Sequence, residues 1–353
     1  MPIKVAVLGY GFSAKVFHLP FITSVPVLQV VTILERSSDT CLQEFPDVHV
    51  AKSIDDVLSN PEIQLVIITT VNHTHYVFAK RALEAGKHVV VEKPFTEDSV
   101  QAQELCDLAA HKNVVLSVYH NRRWDGDFLT AKKLINDSII GRPVFWESYF
   151  NRFQPALSGN WREQVGQGSG VLYDLGSHLI DQVVCAFGKP ASLTAFTWNE
   201  RQTEPKSVDD CFMVTLQYPN LGLSALCRAS CLDATDPPLR LAVRGTRGTY
   251  VKHGMDPQES QLMGMPSQKP GSHPEAFGRE DSKFHGTVFN ASASSTVPTI
   301  SGQWVRFYEN IAKAIESGDR SLLKVKPEEA LLVIRLLELC RVSAKEGKTV
   351  YVD

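Results

Sequence analysis

Five short runs, Ile3 to Leu8, Val27 to Leu34, Leu65 to Thr69, His88 to Glu92 and Val114 to Tyr119, are rich in β-branched residues and separated by stretches of helical character. Strands that alternate with helices must be joined by crossovers, and crossovers of that kind build a parallel sheet. The runs are continuously apolar rather than alternating, which is the pattern of strands covered by helices on both faces. The helix signals agree: Ser53 can cap a helix through Leu58, Thr74 one that stops at Gly86, and Thr96 one that runs through Ala110. A doubly wound domain is therefore predicted over residues 1–121.

The first of these strands leads directly into Gly9-Tyr10-Gly11-Phe12-Ser13-Ala14, a G-x-G-x-x-A that opens the next helix. Gly9 permits the tight turn, Gly11 lets the backbone approach a pyrophosphate, and Ala14 allows close helix packing while the helix N-terminus faces the anion. An acidic residue, Glu35, ends the second strand 21 residues after Ala14. Strand, glycine turn, helix and acid in this order predict a dinucleotide site. Glu35 can accept the ribose hydroxyls of NAD, whereas Arg36, Ser37 and Ser38 can cradle the 2′-phosphate of NADP. Both coenzymes stay open on the residues alone, and Arg36 inclines the reading toward NADP.

Beyond Asn121 the pattern changes. Phe212, Val214, Leu216 and Tyr218 alternate, Pro219-Asn220-Leu221-Gly222 turns the chain into Leu223 to Cys227, and Gly245-Thr246-Arg247-Gly248 joins Leu239 to Arg244 with Thr249 to Val251. These are half-buried antiparallel strands, so residues 122–353 are expected to form an α/β domain with a mostly antiparallel open sheet. The stretch from His253 to Ser301, rich in Gly, Pro and Ser, reads as a long loop. A last helix over about 327–346 is marked by Pro327 in its first turn, Glu328 and Glu329 behind it, and Gly347 as its stop.

Composition removes several function classes. With 36 Lys plus Arg against 39 Asp plus Glu, the net charge is −3, which gives no electrostatic footprint for nucleic acid or an anionic membrane. No apolar stretch approaches the roughly 20 residues that span a bilayer. The chain enters its first apolar run immediately after Met1-Pro2, without space for a secretory leader, and seven irregularly spaced cysteines suit reduced thiols, so a cytoplasmic location is expected. Cys227 and Cys231 lack a second ligand pair at finger spacing, and no metal site is expected.

Three segments carry chemistry. Glu92-Lys93-Pro94 follows a parallel strand at its carboxyl end, where open α/β sheets bind their ligands, and Pro94 keeps Lys93 extended. Asp174 and His178 are spaced one helical turn apart and can act on one substrate, the imidazole as general acid and base and the carboxylate orienting it. The polar run Tyr119-His120-Asn121-Arg122-Arg123-Trp124-Asp125 leaves the last parallel strand and enters the second domain, so Tyr119, His120, Asn121 and Arg123 are candidates for substrate contact.

These motifs, in this order, resemble the glucose-fructose oxidoreductase, inositol dehydrogenase and MocA (Gfo/Idh/MocA) family over nearly the whole chain. Leu116 to Asp125 and Tyr173 to His178 look most like its NADP-dependent scyllo-inositol dehydrogenase branch. The resemblance implies NAD(P)-dependent hydride transfer at a secondary alcohol or ketone of a cyclic polyol or sugar, in a cleft between the two domains, by a homodimer built on the open sheet. It implies Lys93, Asp174 and His178 as the catalytic group. It further implies cofactor contacts from Gly9, Gly11, Phe12, Ala14, Glu35, Arg36, Thr70, Asn72, Glu92, Lys93 and Arg162. Glu35 departs from the branch, whose NADP users often carry a small residue there. The alternatives are a dehydrogenase of dihydrodiols and a non-catalytic NAD(P)-sensing protein of the same fold.

Overall fold

The computed structural model describes residues 1–159, 163–166, 168–264 and 276–353. The chain divides into two compact units, the first made of Met1–Asn121, Gln258–Phe277 and Gln303–Leu331, the second of Arg122–Pro257, Gly278–Gly302 and Leu332–Asp353. Both units are reached more than once. Residues beyond 121, expected to form the second domain alone, therefore also supply Gln258–Phe277 and Gln303–Leu331 to the first unit.

In the first unit, strands β1 (Ile3–Leu8), β2 (Leu28–Leu34), β3 (His49–Ala51), β4 (Leu65–Ile68), β5 (His88–Val91) and β6 (Leu116–Val118) form a parallel sheet in the order β3-β2-β1-β4-β5-β6. Every side chain of β4 is buried, as the continuous apolar runs require. The order reverses between β1 and β4, the switch point outside which such sheets take their ligands. Helices α1 (Leu19–Ile22), α2 (Ile54–Ser59), α3 (His75–Glu84) and α4 (Ser99–Lys112) supply the crossovers. Ser53 caps α2 as expected, its hydroxyl accepting from Asp56 N at 3.1 Å. The fourth helix starts later than Thr96, because Asp98 accepts from Gln101 N at 2.8 Å, while the Thr96 hydroxyl donates to Asp98 O at 2.7 Å.

The second unit adds α5 (Gly126–Asn136), β7 (Pro143–Tyr149), α6 (Ser177–Phe187), β8 (Ser192–Trp198), β9 (Cys211–Tyr218), β10 (Leu223–Ser230), β11 (Leu239–Gly245) and β12 (Thr249–His253). The stretch read as a long loop contains regular structure: α7 (Gln258–Gly264), which belongs to the first unit, and the strands β13 (Gly286–Phe289) and β14 (Ser294–Val297). The exposed β14 is built from Ser, Thr and Val, so it leaves no apolar periodicity to read. Helices α8 (Val305–Ser317) and α9 (Pro327–Glu346) and the short β15 (Val350–Tyr351) complete the chain. The second sheet runs β14-β13-β12-β11-β7-β10-β9-β8-β15, antiparallel throughout except where β10 pairs with β7. Phe212, Val214, Leu216 and Tyr218 are buried while their neighbours along β9 from Met213 are half-buried, the alternation of a sheet covered on one face. Among the described residues no helix is long and apolar enough to cross a membrane, and no group of His, Cys, Asp and Glu could hold a metal ion.

Candidate active site

In the first unit the candidate residues gather at the carboxyl ends of β1, β2, β4 and β5. Gly9 follows β1 with φ +103°, and a Cβ there would lie 3.2 Å from Thr69 Oγ1 and 3.4 Å from Thr70 Cγ2. Only glycine turns the chain at that point without strain. Around Gly11, by contrast, a Cβ would meet nothing within 4 Å, so the backbone lies open to an incoming group. Ala14 is fully buried and begins a widened, π-helical turn, Ala14–His18, that runs into α1. Glycine turn, open approach and helix entry fit a dinucleotide pyrophosphate. Phe12 is 57% exposed beside it.

Glu92 ties this cradle to the catalytic candidate. Its Oε2 accepts from the backbone N–H of Lys93 at 2.7 Å, and its Oε1 accepts from the Ser13 hydroxyl and from His18 Nε2 at 3.0 Å. Burial on its own would raise the Glu92 pKa, but the hydrogen bond and charge of His18, the nearby Lys93 ammonium and the Ser13 hydroxyl outweigh it and bring it down to about 2. The far nitrogen of His18, Nδ1, lies 2.5 Å from the Tyr308 hydroxyl on α8. His18 thus has a hydrogen-bond partner at each ring nitrogen, Tyr308 on one side and Glu92 on the other. Lys93 itself is half-buried at the end of β5.

A second brace holds the loop after β4. His75 is fully buried, with Nε2 3.0 Å from Thr70 O and Nδ1 2.8 Å from Pro94 O. Desolvation holds its pKa below the ordinary value against the pull of those carbonyls. The hydroxyls of Thr70 and Thr74 meet at 2.6 Å, and Asn72 is buried, its Oδ1 accepting from His73 N at 2.9 Å. At the end of β2, the Glu35 carboxylate accepts from Ser38, Thr40 and Cys41 of its own loop, while Arg36 is exposed.

Tyr119, His120 and Asn121 follow β6 and are all buried. The Tyr119 hydroxyl donates to Phe17 O, and its ring lies 4.1 Å from that of His18 and 4.9 Å from that of Phe307. Tyr119 thus packs the interior of the first unit.

In the second unit, His178 occupies the first turn of α6 and Asp174 the widened turn Leu172–Gly176 that precedes it. Helix therefore begins before Asp174 rather than at it. Such π turns recur at functional sites, and this chain has one in each candidate region. His178 is 7% exposed and stacks on Phe150 with ring centroids 6.5 Å apart and planes at 27°, while Arg122 lies over that same Phe150 ring at 4.7 Å. The start of the helix is pinned by Asp209, whose carboxylate accepts from Leu172 N at 2.7 Å and pairs with Arg341 at 2.6 Å. Desolvation raises the pKa of Asp209 in spite of that guanidinium.

Further along α6, Asp181 receives Arg123 in a two-pronged ion pair, at 2.8 Å from Nε and 2.6 Å from Nη2, with both side chains buried. The guanidinium expected to reach substrate is committed to α6. Gln182 donates to Arg122 O at 2.7 Å and accepts from Arg240 at 2.9 Å, and Arg240, fully buried, also pairs with Asp127 at 3.0 Å. The helix that carries His178 is thereby bolted to residues 122–127. Arg162 and its neighbour Trp161 lie outside the described residues.

Sequence reasoning did not find His18, His75, Phe150, Gln182, Asp209, Arg240 or Tyr308. His18 and Tyr308 are 290 residues apart, and no spacing rule links them. Asp209 gave no signal either, since its close approach to Gly170, where a Cβ would lie 2.3 Å from Asp209 Oδ1, exists only in the folded chain.

A dinucleotide cradle on a parallel sheet, with a lysine at a strand end and a carboxylate and imidazole on a second α/β unit, defines an NAD(P)-binding oxidoreductase. Family models agree over almost the full length: an oxidoreductase family NAD-binding Rossmann fold matches residues 3–120, and an oxidoreductase family C-terminal alpha/beta domain matches residues 132–352. The chain belongs to the Gfo/Idh/MocA oxidoreductase family. It is 39% identical to an uncharacterized oxidoreductase of Schizosaccharomyces pombe, covering 99% of this chain and 98% of the relative. It is 36% identical to the scyllo-inositol 2-dehydrogenase (NADP(+)) IolW of Bacillus subtilis, covering 99% and 96%. Among solved structures it is similar to yvaA from Bacillus subtilis, with TM-score 0.92 and 35% identity over 99% and 98% of the two chains. An oxidoreductase from Bacillus cereus gives TM-score 0.90 and 31% identity over 99% of each chain.

Proposed function

We propose that this oxidoreductase interconverts a secondary alcohol and a ketone on a cyclic polyol or sugar of the inositol class, with NADP favoured over NAD. The observation that carries the reading is the placement of Asp174 in a widened helical turn whose start is anchored by Asp209, and of His178 in the first turn of the helix α6 that follows, which is bolted through Asp181 and Gln182. The likeness to IolW, named as an NADP(+)-dependent scyllo-inositol 2-dehydrogenase, supports both the substrate class and the coenzyme.

When bound, the nicotinamide supplies the acceptor or donor of hydride at its C4. The protein side of the reaction then falls to three residues. His178 takes the proton of the reacting hydroxyl, or returns it in the reverse direction, as an imidazole suited to both roles near neutral pH. The Lys93 ammonium stabilises the charge that develops on the reacting oxygen. Asp174 holds a neighbouring hydroxyl and orients the imidazole. Gly9, Gly11, Ala14, Thr70 and Asn72 would hold the dinucleotide, with Glu92 fixing Lys93 beside it.

Lys93→Ala and His178→Ala are each expected to lower kcat by about two to four orders of magnitude, the range of a positioned acid or base. Near-normal kcat in both variants would overturn the assignment. The intact trio also argues against a non-catalytic sensor. For the assembly, we propose a homodimer through the second sheet, where Phe196 and Trp198 stack 5.8 Å apart at 10° and are 41% and 44% exposed. Seven free cysteines, six of them buried, support a reducing, cytoplasmic setting.

A further inference from the structure

A neutral imidazole carries one N–H donor and one lone pair, and only the imidazolium donates from both nitrogens, whereas a carbonyl oxygen only accepts. His75, the first residue of α3, has a carbonyl at each nitrogen: Nδ1 lies 2.8 Å from Pro94 O and Nε2 3.0 Å from Thr70 O. The residue is 1% exposed, so bulk water does not replace a lost bond. With the ring neutral, one of the two contacts sets lone pair against lone pair. With the ring protonated, both are hydrogen bonds, and the cost is a buried charge. Both bonds therefore form together only when the ring is charged.

The two carbonyls belong to different segments at the carboxyl end of the sheet. Thr70 follows β4 and stands against the glycine turn, its Cγ2 3.4 Å from where a Cβ of Gly9 would lie. Pro94 follows Lys93 directly. In the loop after β4, Thr70, Asn72 and Thr74 carry no charge, and His73 is exposed. In the segment after β5, the Glu92 carboxylate favours the imidazolium, and its own pKa of about 2 keeps it ionised throughout the neutral range, while Lys93 is the like charge there. On α4, which packs against α3, Glu104 is engaged by Lys80 and Tyr76. Burial outweighs the carbonyls and Glu92, so the ring gives up its proton below the ordinary 6.5.

We infer that His75 is a proton-linked positioning residue: as imidazolium it ties the loop of Thr70 and Asn72 to the segment of Lys93 and Pro94, and as neutral imidazole it holds only one of them. The inference rests on the dinucleotide-binding reading above, which makes these the segments that hold the coenzyme and the reactive lysine. A coenzyme that needs both segments in place binds better to the charged ring, so binding takes up a proton and affinity rises as the pH falls through the His75 midpoint. The fold as a whole moves the other way. The unfolded ring takes the proton more readily, so global stability drops as the pH falls below 6.5 while the tie between the two segments tightens.

The test is calorimetric titration of the purified protein with NADP between about pH 5 and about pH 8, the wild type beside His75→Gln. Ionisation of the coenzyme's own phosphate and of the other histidines is then common to both proteins. The wild type is expected to gain about tenfold more affinity than the variant as the pH falls, one coupled pKa unit being worth a factor of about ten. Parallel curves in the two proteins, or a steeper rise in the variant, overturn the inference. A second measurement needs neither the variant nor the coenzyme: hydrogen exchange of the wild type, corrected for the chemical rate at each pH, in peptides covering residues 69–75 and 92–96. Their protection relative to the adjoining strands β4 and β5 is expected to increase as the pH falls. Protection that stays constant or decreases overturns the inference, and decides it even if His75→Gln does not fold. Failure to bind NADP at any pH would instead remove the dinucleotide reading, while the exchange measurement still decides the tie between the two segments.

Discussion

Replacing Glu92 by Gln changes one oxygen for a nitrogen at the point where the glycine turn, His18 and Lys93 meet. The carboxylate is held at about 2 from an ordinary 4.5. At about 1.4 kcal/mol per pKa unit, that depression corresponds to roughly 3 kcal/mol of native-state stabilisation near neutral pH. Because the folded pKa is the lower one, the contribution is complete above about pH 4.5 and fades as the pH falls toward 2. A Gln amide can keep an oxygen on the Lys93 N–H and turn its NH2 toward Ser13 and His18, but it carries no charge, so the charge-assisted part of these bonds and the attraction to the Lys93 ammonium are lost. Glu92→Gln should therefore destabilise the first unit by about 2 to 4 kcal/mol near neutral pH, the cost of losing one partner from a buried charged network. Hydrogen exchange in a urea series, followed in peptides covering residues 13–18 and 88–92, reads this unit separately from the other. The gap between wild type and variant should narrow as the pH drops below about 4. A gap under about 0.5 kcal/mol, or one that stays constant with pH, would refute the reasoning.

Other expectations follow from the same geometry. Tyr308→Phe deletes only the hydroxyl facing His18 Nδ1 and should cost about 1 kcal/mol in the same exchange measurement, with no change in the second unit. Arg123→Leu removes the two-pronged guanidinium from the buried Asp181 carboxylate and should cost about 3 to 5 kcal/mol, while the double change with Asp181→Leu recovers most of it. Equal instability of the single and double variants in urea unfolding would contradict the ion-pair account. Gly170→Ala puts a Cβ 2.3 Å from Asp209 Oδ1 at φ +85°, and should lower Tm and reduce turnover together by displacing the helix that holds Asp174 and His178. An unchanged Tm would show that the Asp209 anchor is not needed.

Much of this arrangement was legible in the chain because it is local. The β-branched runs gave a parallel sheet, the glycine turn declared its own backbone, and Lys93 stood at a strand end because Val89 to Val91 precede it. The last helix was legible at both ends, since Pro327 and Gly347 punctuate it. Long-range pairings left no such trace. Nothing in the spacing of His18 and Tyr308 joins them, and α8 was missed although Phe307, Tyr308, Ile311, Ala312 and Ala314 make its buried face. Arg123 and Tyr119 looked alike in a polar run, yet one forms a buried ion pair and the other packs against aromatic rings. Glu35 shows the same limit: the sequence placed an acid at the right spot, and only the loop folded back on it reveals which way its oxygens point.

The central claim is tested most directly by incubating the purified protein with NADP or NAD and a panel of inositols and related cyclic polyols, following the absorbance of the reduced nicotinamide. The account predicts reduction of NADP by at least one cyclic polyol, slower reduction of NAD, and loss of the signal in Lys93→Ala and His178→Ala. Binding of the dinucleotide without turnover on any polyol or sugar would contradict it.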